Sequence, residues 1–306
     1  MAKFREELIG AFSFSLYVVN TLICFGPVYL LGFLKFIIPG AGFRKLCTAV
    51  LTEIALFWIA VNNFNAGLKR SIRWDVTGVD KLDPKGWYLV LSNHQTWVDI
   101  LVLQKVLHRK IPFLKFFLKK ELIWVPIMGI AWWALDFPFM KRYSDAFLKK
   151  HPHLKGKDLE TTRKACEKFK TLPISVMNFV EGTRFTPEKH DKQNSPYANL
   201  LKPKAGGTAF VLSAMGDYIN AIVNVTIYYP QENKSFWDFL CGRVTEIVVR
   251  VETLPLDKTL IGDYTNDAEF RGRFQAWINA LWDEKDRLLS ELKAQNAAGT
   301  AVQPTV

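Results

Sequence analysis

The sequence predicts an α/β fold, in which a central, mostly buried β-sheet is flanked by helices and preceded by apolar N-terminal helices. Three observations predict it. Residues 8–34 carry no charge, β-type and helical runs alternate from about residue 73, and 49% of the 306 residues are hydrophobic, enough for a large core. We therefore expect N-terminal anchoring helices (1–70), a sheet-containing domain (71–293) and a flexible tail (294–306).

The uncharged run of residues 8–34 is long enough to cross a bilayer. A secretory signal peptide is disfavoured, because the preceding MAKFREE mixes acids with bases and no small-residue cleavage pattern follows. Asn20 and Pro27 favour, as an alternative, a broken helix that enters one leaflet and returns. Residues 49–62 are too short to span and suit an interfacial or hairpin helix. The positive-inside rule places the rest of the chain in the cytoplasm, on the basis of Lys35, Arg44 and Lys45.

The remainder of the chain alternates strands and helices. The predicted strands are RWDVTGV (73–79), WYLVLS (87–92), ISVMNFV (174–180), INAIVNVTIYY (219–229) and RVTEIVVRVE (243–252). The predicted helices cover residues 96–108, 157–169, 206–216 and 266–293. Strands that alternate with helices are typical of a sheet covered on both faces.

A tryptophan-rich apolar stretch covers residues 122–135. At this length a buried core or re-entrant segment is favoured over a membrane span. Its tryptophans, Trp124, Trp132 and Trp133, also suit a membrane interface or a wall beside an acyl chain. Both interpretations stay open on the sequence alone.

The formal net charge of +11 indicates an anionic partner, which could be nucleic acid, a membrane surface or a phosphorylated substrate. Nucleic acid is disfavoured, because the aromatic residues cluster in apolar runs and do not interleave with basic ones. The four cysteines lie far apart, which argues against a disulfide framework and against a thiolate metal site. We expect no metal.

The stretch SNHQTWVDI (92–100) sets His94 five positions before Asp99. A strand that ends at Leu91 and a helix that begins near Thr96 would leave His94 on a loop at the carboxyl edge of the sheet, where open α/β folds bind ligands. Asp99 would then hold one ring nitrogen. The alternative is a capping box, because Thr96 followed three residues later by Asp99 is typical of a helix N-terminus. The two interpretations are compatible.

The segment FVEGTRF (179–185) ends a predicted strand with a glycine and an arginine. Gly182 allows close approach of the backbone to a ligand, and the planar guanidinium of Arg184 suits phosphate. The alternative is an ordinary turn with a solvated ion pair. A further basic pair, Lys141 and Arg142, closes the tryptophan-rich stretch.

Together these segments resemble the motifs of the glycerolipid acyltransferases, the lysophosphatidic acid acyltransferases in particular. NHQTWVD (93–99) matches the family's NHxxxxD motif, FMKR (139–142) its FxxR motif, and FVEGTR (179–184) its FxEGTR motif, in the correct order. The runs WVPIMG, LDFPFMKRYS and AWINALWDEKDRLL resemble the bacterial inner-membrane acyltransferases of the YihG type. One departure is that residues 222–226 lack the proline of the family's fourth motif.

The resemblance implies that residues 71–293 form a glycerolipid acyltransferase domain, anchored by an N-terminal membrane-embedded helical pair. It implies transfer of an acyl group from acyl-CoA or acyl carrier protein to the sn-2 hydroxyl of lysophosphatidic acid, with no cofactor besides the donor. His94 would be the general base and Asp99 would orient it. The implied location is the bacterial inner membrane, with the catalytic domain facing the cytoplasm. The implied substrate-binding residues are Lys119, Arg142, Glu181, Gly182, Thr183 and Arg184.

Three other functions compete with this one. An enzyme that remodels other lysophospholipids would use the same pair on larger headgroups, and a glycerol-3-phosphate acyltransferase would acylate a soluble acceptor. A non-catalytic lipid-binding protein would share the anchor and the basic charge, but it would have no use for a histidine and an aspartate in one turn.

Overall fold

The computed structural model describes residues 2–68, 72–140, 173–232 and 234–298 of the chain. Its helices are α1 (Ala2–Ile37), α2 (Ala41–Leu68), α3 (Val98–Leu107), α4 (Met128–Ala134), α5 (Pro187–Gln193), α6 (Ala205–Met215), α7 (Phe236–Leu240) and α8 (Ala268–Ala297). Its strands are β1 (Arg73–Thr77), β2 (Tyr88–Ser92), β3 (Leu114–Phe116), β4 (Leu118–Lys119), β5 (Phe139–Met140), β6 (Ser175–Phe179), β7 (Ala221–Tyr228) and β8 (Glu246–Pro255).

The central sheet has six strands in the order β1-β8-β7-β2-β6-β3, and β4 pairs separately with β5. Every neighbouring pair in the central sheet is parallel except β7 with β8. All five residues of β2 are buried, as expected for a strand that is covered on both faces. The carboxyl ends of β2, β6 and β7 lie at one edge of the sheet, where open α/β folds place their ligands.

The two faces of the sheet are buried in separate clusters. Leu89 and Leu91 of β2 pack in the cluster that includes α6 and α8, while Val90 packs in the cluster that includes α3 and α7. This alternation follows from the two-residue period of a strand. The prediction of an α/β fold with a helix-flanked central sheet is confirmed. The helix predicted over residues 157–169 lies outside the described residues.

Helices α1 and α2 form an antiparallel hairpin (the N-terminal hairpin). Its interface contains polar contacts, including Ser13 Oγ to Asn65 Oδ1 at 3.2 Å and Asn20 Nδ2 to Asn62 Oδ1 at 2.8 Å. Side-chain hydrogen bonds of this kind fix the register of two helices in apolar surroundings. Asn20 therefore joins the helices and does not break one.

The structure corrects two expectations for the N-terminal hairpin. The break at Pro27, which the sequence offered as an alternative to a continuous helix, does not occur, since α1 continues through it and the adjacent Val28 is buried against the rest of the chain. The helix expected over residues 49–62 is longer, with 28 residues. By length and composition both helices could cross a membrane, and in the most apolar stretch of each only 28% of the residues are buried.

The N-terminal hairpin is attached to the sheet domain near both ends of α1. At its start, the guanidinium of Arg243 contacts the carboxylates of Glu6 and Glu7 at 2.9 and 2.5 Å. Near its end, Lys35 forms an ion pair with Asp136, which follows α4. These contacts fix the hairpin against the domain.

The tryptophan-rich stretch is not a buried core segment, one of the interpretations that the sequence left open, since only Gly129, Ala131 and Ala134 in its two helices are buried. It folds as a 3₁₀ turn, Lys120–Trp124, followed by α4, and its small residues Ala131 and Ala134 pack on α1. Trp124 is 84% exposed and Trp133 is 41% exposed. Small residues occupy the centre of the helix contact, and the ring of Trp133 packs beside it on Phe36 of α1, with 5.7 Å between the ring centroids.

Candidate active site

The loop between β2 and α3 is held against β7 by Asn93. Its Nδ2 donates to the Ile227 carbonyl at 2.9 Å, and its Oδ1 accepts from the Ile227 N–H at 2.9 Å. Asn93 is fully buried. Its two side-chain bonds to Ile227 continue the pairing of β2 with β7 beyond the end of β2. The next residue, His94, is fixed at the carboxyl edge of the sheet.

His94 and Asp99 form a hydrogen-bonded pair (the catalytic pair), with 2.8 Å between His94 Nδ1 and Asp99 Oδ2. An ionised carboxylate only accepts hydrogen bonds, so Nδ1 carries the proton and Nε2 is the free ring nitrogen. Asp99 Oδ2 also accepts from the backbone N–H groups of Gln95 at 2.6 Å and Thr96 at 3.0 Å. Asp99 therefore orients the imidazole and accepts from the backbone before α3. A full capping box does not form, because the Thr96 hydroxyl donates to the Lys234 carbonyl and α3 begins without a side-chain cap bond.

The imidazole of His94 is also fixed by stacking. The ring of Phe179, the last residue of β6, lies 3.9 Å from the His94 ring, centroid to centroid, at an interplanar angle of 13°. Phe116 stacks in turn on Phe179 at 6.2 Å. Sequence reasoning quoted Phe179 as part of a motif and gave it no role. The signal that could have found it is an aromatic residue at the end of a strand neighbouring β2.

Glu181 has a different place from the one expected for a substrate-binding residue. It is fully buried, and its two oxygens accept from the backbone N–H groups of His94 and Leu201, each at 2.9 Å. Because both oxygens have backbone donors and the residue has no exposed surface, Glu181 joins two loops behind the site. This differs from the substrate-binding role that the resemblance implies for Glu181.

A buried lysine on α8 lies behind Glu181. Lys285 Nζ donates to the Val225 carbonyl at 2.7 Å and to Thr226 Oγ1 at 2.9 Å, at the end of β7. Burial lowers the pKa of Lys285 to about 7, and the charge of Glu181 opposes this change. Burial likewise raises the pKa of Glu181 to about 7, against its two backbone donors. Sequence analysis missed Lys285, because a lysine in an amphipathic helix is ordinarily exposed.

The turn after β6 positions Arg184. Gly182 has a φ of +70°, and a Cβ there would lie 3.2 Å from Cδ of Lys204. Lys189 Nζ donates to Thr183 Oγ1 and to the Arg184 carbonyl, both at 2.9 Å. The guanidinium of Arg184 stacks on the indole of Trp97, 4.5 Å from its ring centroid. The turn thus brings three basic residues together, two of which, Lys189 and Lys204, sequence analysis did not identify.

The other two predicted site residues are not located as side chains. Arg142 lies outside the described residues. Lys119 ends β4, whose backbone pairs with β5, and only its backbone is described. The roles expected for them stay predictions.

An apolar cavity of about 610 Å³ begins at the catalytic pair. His94, Gly182, Thr183 and Arg184 line it together with Trp97 and Phe179. The rest of its wall comes from the N-terminal hairpin, from α3 and from α4, and includes Phe25, Val28, Ile54, Trp58, Leu101 and Trp132. The volume falls within the range of about 300–1,000 Å³ that is common for small-molecule sites. Within the described ranges, no three His, Cys, Asp or Glu side chains are grouped as metal ligands.

The chain is similar in sequence to known acyltransferases. The 1-acyl-sn-glycerol-3-phosphate acyltransferase gamma of Mus musculus is 26% identical over 213 residues, which are 65% of this chain and 52% of the relative. The epsilon form of the same organism is 22% identical over 225 residues, 66% of this chain and 57% of the relative. The chain spans about half the length of the curated relatives it matches.

A solved structure shows the same fold. The 1-acyl-sn-glycerophosphate (LPA) acyltransferase PlsC from Thermotoga maritima is 17% identical, with a TM-score of 0.57 over 96% of this chain and 98% of that one. The finer resemblance to the YihG type stays a prediction. A family model described as Acyltransferase matches residues 73–228, about half of the chain. This chain belongs to the acyltransferase family.

Proposed function

We propose that the chain is a membrane-embedded 1-acyl-sn-glycerol-3-phosphate O-acyltransferase. It moves an acyl group from acyl-CoA or acyl carrier protein to the sn-2 hydroxyl of lysophosphatidic acid and gives phosphatidic acid. The observation that carries the proposal is that His94 and Arg184, from neighbouring loops, share the wall of one apolar cavity. The names of the curated relatives support this acceptor.

The catalytic pair is suited to deprotonate an alcohol. As the acceptor oxygen attacks the thioester carbonyl, its proton passes to Nε2 of His94, while Asp99 stabilises the imidazolium that forms. When the tetrahedral intermediate collapses, the C–S bond breaks and the thiolate takes that proton from the imidazolium. The substrate hydroxyl occupies the place that a serine has in a protease, so no acyl-enzyme forms.

Arg184 is suited to the phosphate of the acceptor. Its stacking on Trp97 covers one face of the guanidinium and leaves its N–H edge for bidentate contact with phosphate oxygens. The ammonium groups of Lys189 and Lys204 add positive charge at the same turn. We assign Gly182 and Thr183 to the backbone that approaches the phosphate, and we keep Arg142 and Lys119 as further candidates.

The wall formed by the N-terminal hairpin and α4 is suited to an acyl chain, because its side chains are apolar. The outer surface of the hairpin exposes many large apolar side chains, including Phe4, Phe12, Ile23, Phe33 and Phe57. A surface of this kind is buried in a bilayer in other proteins. We place the chain in the bacterial inner membrane with the sheet domain on the cytoplasmic side, where the basic residues after α1 favour it.

The test is acyl transfer by the purified, detergent-solubilised chain. Labelled acyl-CoA and the labelled acyl thioester of acyl carrier protein serve as donors. Lysophosphatidic acid, other lysophospholipids and glycerol 3-phosphate serve as acceptors. We expect the highest kcat/KM with lysophosphatidic acid. A preference for lysophosphatidylcholine or lysophosphatidylethanolamine would establish a remodelling enzyme instead.

Two controls complete this assay. His94→Ala tests that transfer is catalysed by the site, and omission of the acceptor tests for thioester hydrolysis. Binding of vesicles by the wild type without transfer to any acceptor would contradict the proposal and favour a lipid-binding protein.

A further inference from the structure

We propose that Tyr229 is a positioning residue of the catalytic pair, whose hydroxyl fixes the Asp99 carboxylate so that Oδ2 faces the imidazole of His94. The inference rests on the proposed function, because it assumes that His94 acts as the base. The hydroxyl of Tyr229 donates to Asp99 Oδ1 at 2.7 Å. This contact makes Tyr229 the third member of a chain that runs from the cavity through His94 and Asp99.

The donors of Asp99 are divided unequally between its two oxygens. Oδ2 accepts from the His94 ring and from two backbone N–H groups, all within the loop before α3. Among the residues that the structure describes, Tyr229 alone donates to Oδ1. Asp99 has no exposed surface, so no bulk water can replace this donor. Without it, a buried carboxylate oxygen would have no partner and the carboxylate could rotate.

Tyr229 is placed to do this by the sheet. It follows the last residue of β7, the strand to which Asn93 attaches the catalytic loop. Its ring packs in the cluster that includes α3, whereas the preceding Tyr228 packs in the cluster on the opposite face. Burial raises the pKa of Tyr229 well above its ordinary value, and the charge of Asp99 adds to this change. The phenol therefore remains a hydrogen-bond donor at every pH at which the enzyme works.

The hydroxyl also affects the charge balance of the pair. A carboxylate that accepts fewer hydrogen bonds carries a less dispersed charge and attracts the proton of an imidazolium more strongly. Two further charged groups of the described residues interact with Asp99, namely Glu181, from the end of β6, and Lys234, from the loop after β7. Neither donates to Oδ1. Loss of the phenol should thus make His94 retain a proton to higher pH, which reduces the fraction available as base.

The test compares Tyr229→Phe with Tyr228→Phe, which removes a neighbouring buried hydroxyl that bonds to Asn296. We expect Tyr229→Phe to lower kcat/KM by about tenfold, as for one hydrogen bond to a charged group. The acid limb of its pH–rate profile should move to higher pH by about half a unit to one unit. Tyr228→Phe should change neither quantity. Thermal unfolding of both variants verifies that they fold.

A double-mutant cycle separates positioning from packing. In an Asp99→Asn background, Tyr229→Phe should change kcat/KM by less than about twofold, because the group through which it acts is already altered. An equal loss in both backgrounds would overturn the proposal. So would wild-type activity and an unmoved acid limb in Tyr229→Phe.

Failure of the proposed function would be visible separately, as a wild type without turnover on any acceptor. In that case the titration of the His94 ring, followed by NMR, still tests the positioning role of Tyr229. A higher midpoint in Tyr229→Phe, but not in Tyr228→Phe, supports the positioning role, and equal midpoints refute it.

Discussion

The two ends of the cavity wall are built in opposite ways. Around the catalytic pair, buried polar groups such as Asn93, Asp99 and Glu181 all have partners, mostly backbone groups of neighbouring loops. Along the N-terminal hairpin and α4 the wall is mostly apolar, and its shape depends mainly on side-chain packing. Hydrogen bonds fix direction, whereas dispersion and burial fix only volume. The difference teaches that the chemistry requires fixed angles, while the acyl chain requires only space.

Removal of the base is the strongest test of the difference between the polar and apolar parts of the cavity wall. We expect His94→Ala to lower acyl transfer by roughly 10²- to 10⁴-fold, as for other general bases. Its vesicle binding should not change and its unfolding temperature should change little, because Asn93 and Glu181 still hold the loop when the ring loses its contacts with Asp99 and Phe179. Steady-state rates, vesicle sedimentation and thermal unfolding measure these three quantities. Turnover above about one hundredth of wild type would exclude His94 as the base.

The buried polar network predicts a pH-dependent stability. The pKa of Lys285 is lowered by burial from 10.5 to about 7, so between these values the unfolded chain binds a proton that the folded chain does not. Stability should thus rise as pH rises through this window, by about 1.4 kcal/mol per unit.

Urea unfolding in detergent, from about pH 7 to about pH 10, measures this dependence. Lys285→Met should lack the rise, and Lys293→Met, an exposed position on the same helix, should keep it. Parallel profiles of the wild type and Lys285→Met would show that Lys285 is protonated in the folded chain throughout the window.

Arg184 lies where the polar and apolar parts of the cavity wall meet, and its substitution tests acceptor binding there. If it binds phosphate in ground and transition states alike, Arg184→Ala should raise KM for lysophosphatidic acid by about ten- to a hundredfold, with a smaller change in kcat. Arg184→Lys should recover only part of this loss, since it keeps the charge and lacks the planar fork. Arg287→Ala, an exposed arginine on α8, controls for the loss of one positive charge. A raised KM for the thioester alone would move Arg184 to the donor.

The smallest effect is expected on the apolar wall. Ile54→Trp fills part of the cavity beside α2, so kcat/KM for the longest acyl donors should fall by about tenfold, while short donors should be little affected. Ile23→Trp makes the same change on the exposed face of α1 and should leave the preference unaltered. A donor-length series measures it. Equal losses at all chain lengths would mean that the cavity does not hold the acyl chain.

The sequence allowed prediction of those parts that depend on local pattern. The strands β2 and β6 are visible as short apolar runs, and the spacing of His94 and Asp99 suits one turn before a helix. The roles of Glu181 and Tyr229 were not predictable, because each depends on which loops meet at the sheet edge.

Helix packing explains the other differences. The continuity of α1 through Pro27 depends on neighbouring helices that no local pattern specifies. In the tryptophan-rich stretch, hydrophobicity predicted burial, but the structure buries Ala131, where α4 meets α1, and exposes Trp124, which lies in the 3₁₀ turn before α4.

The attachment of α1 near both its ends has a mechanical consequence. Arg243 holds the start of α1 and Asp136 holds its end, so the helix is a beam fixed at both ends and packed on α2 and α4 between them, with the cavity beside its middle. In the bilayer location that we propose, lateral pressure and membrane thickness act on this beam directly.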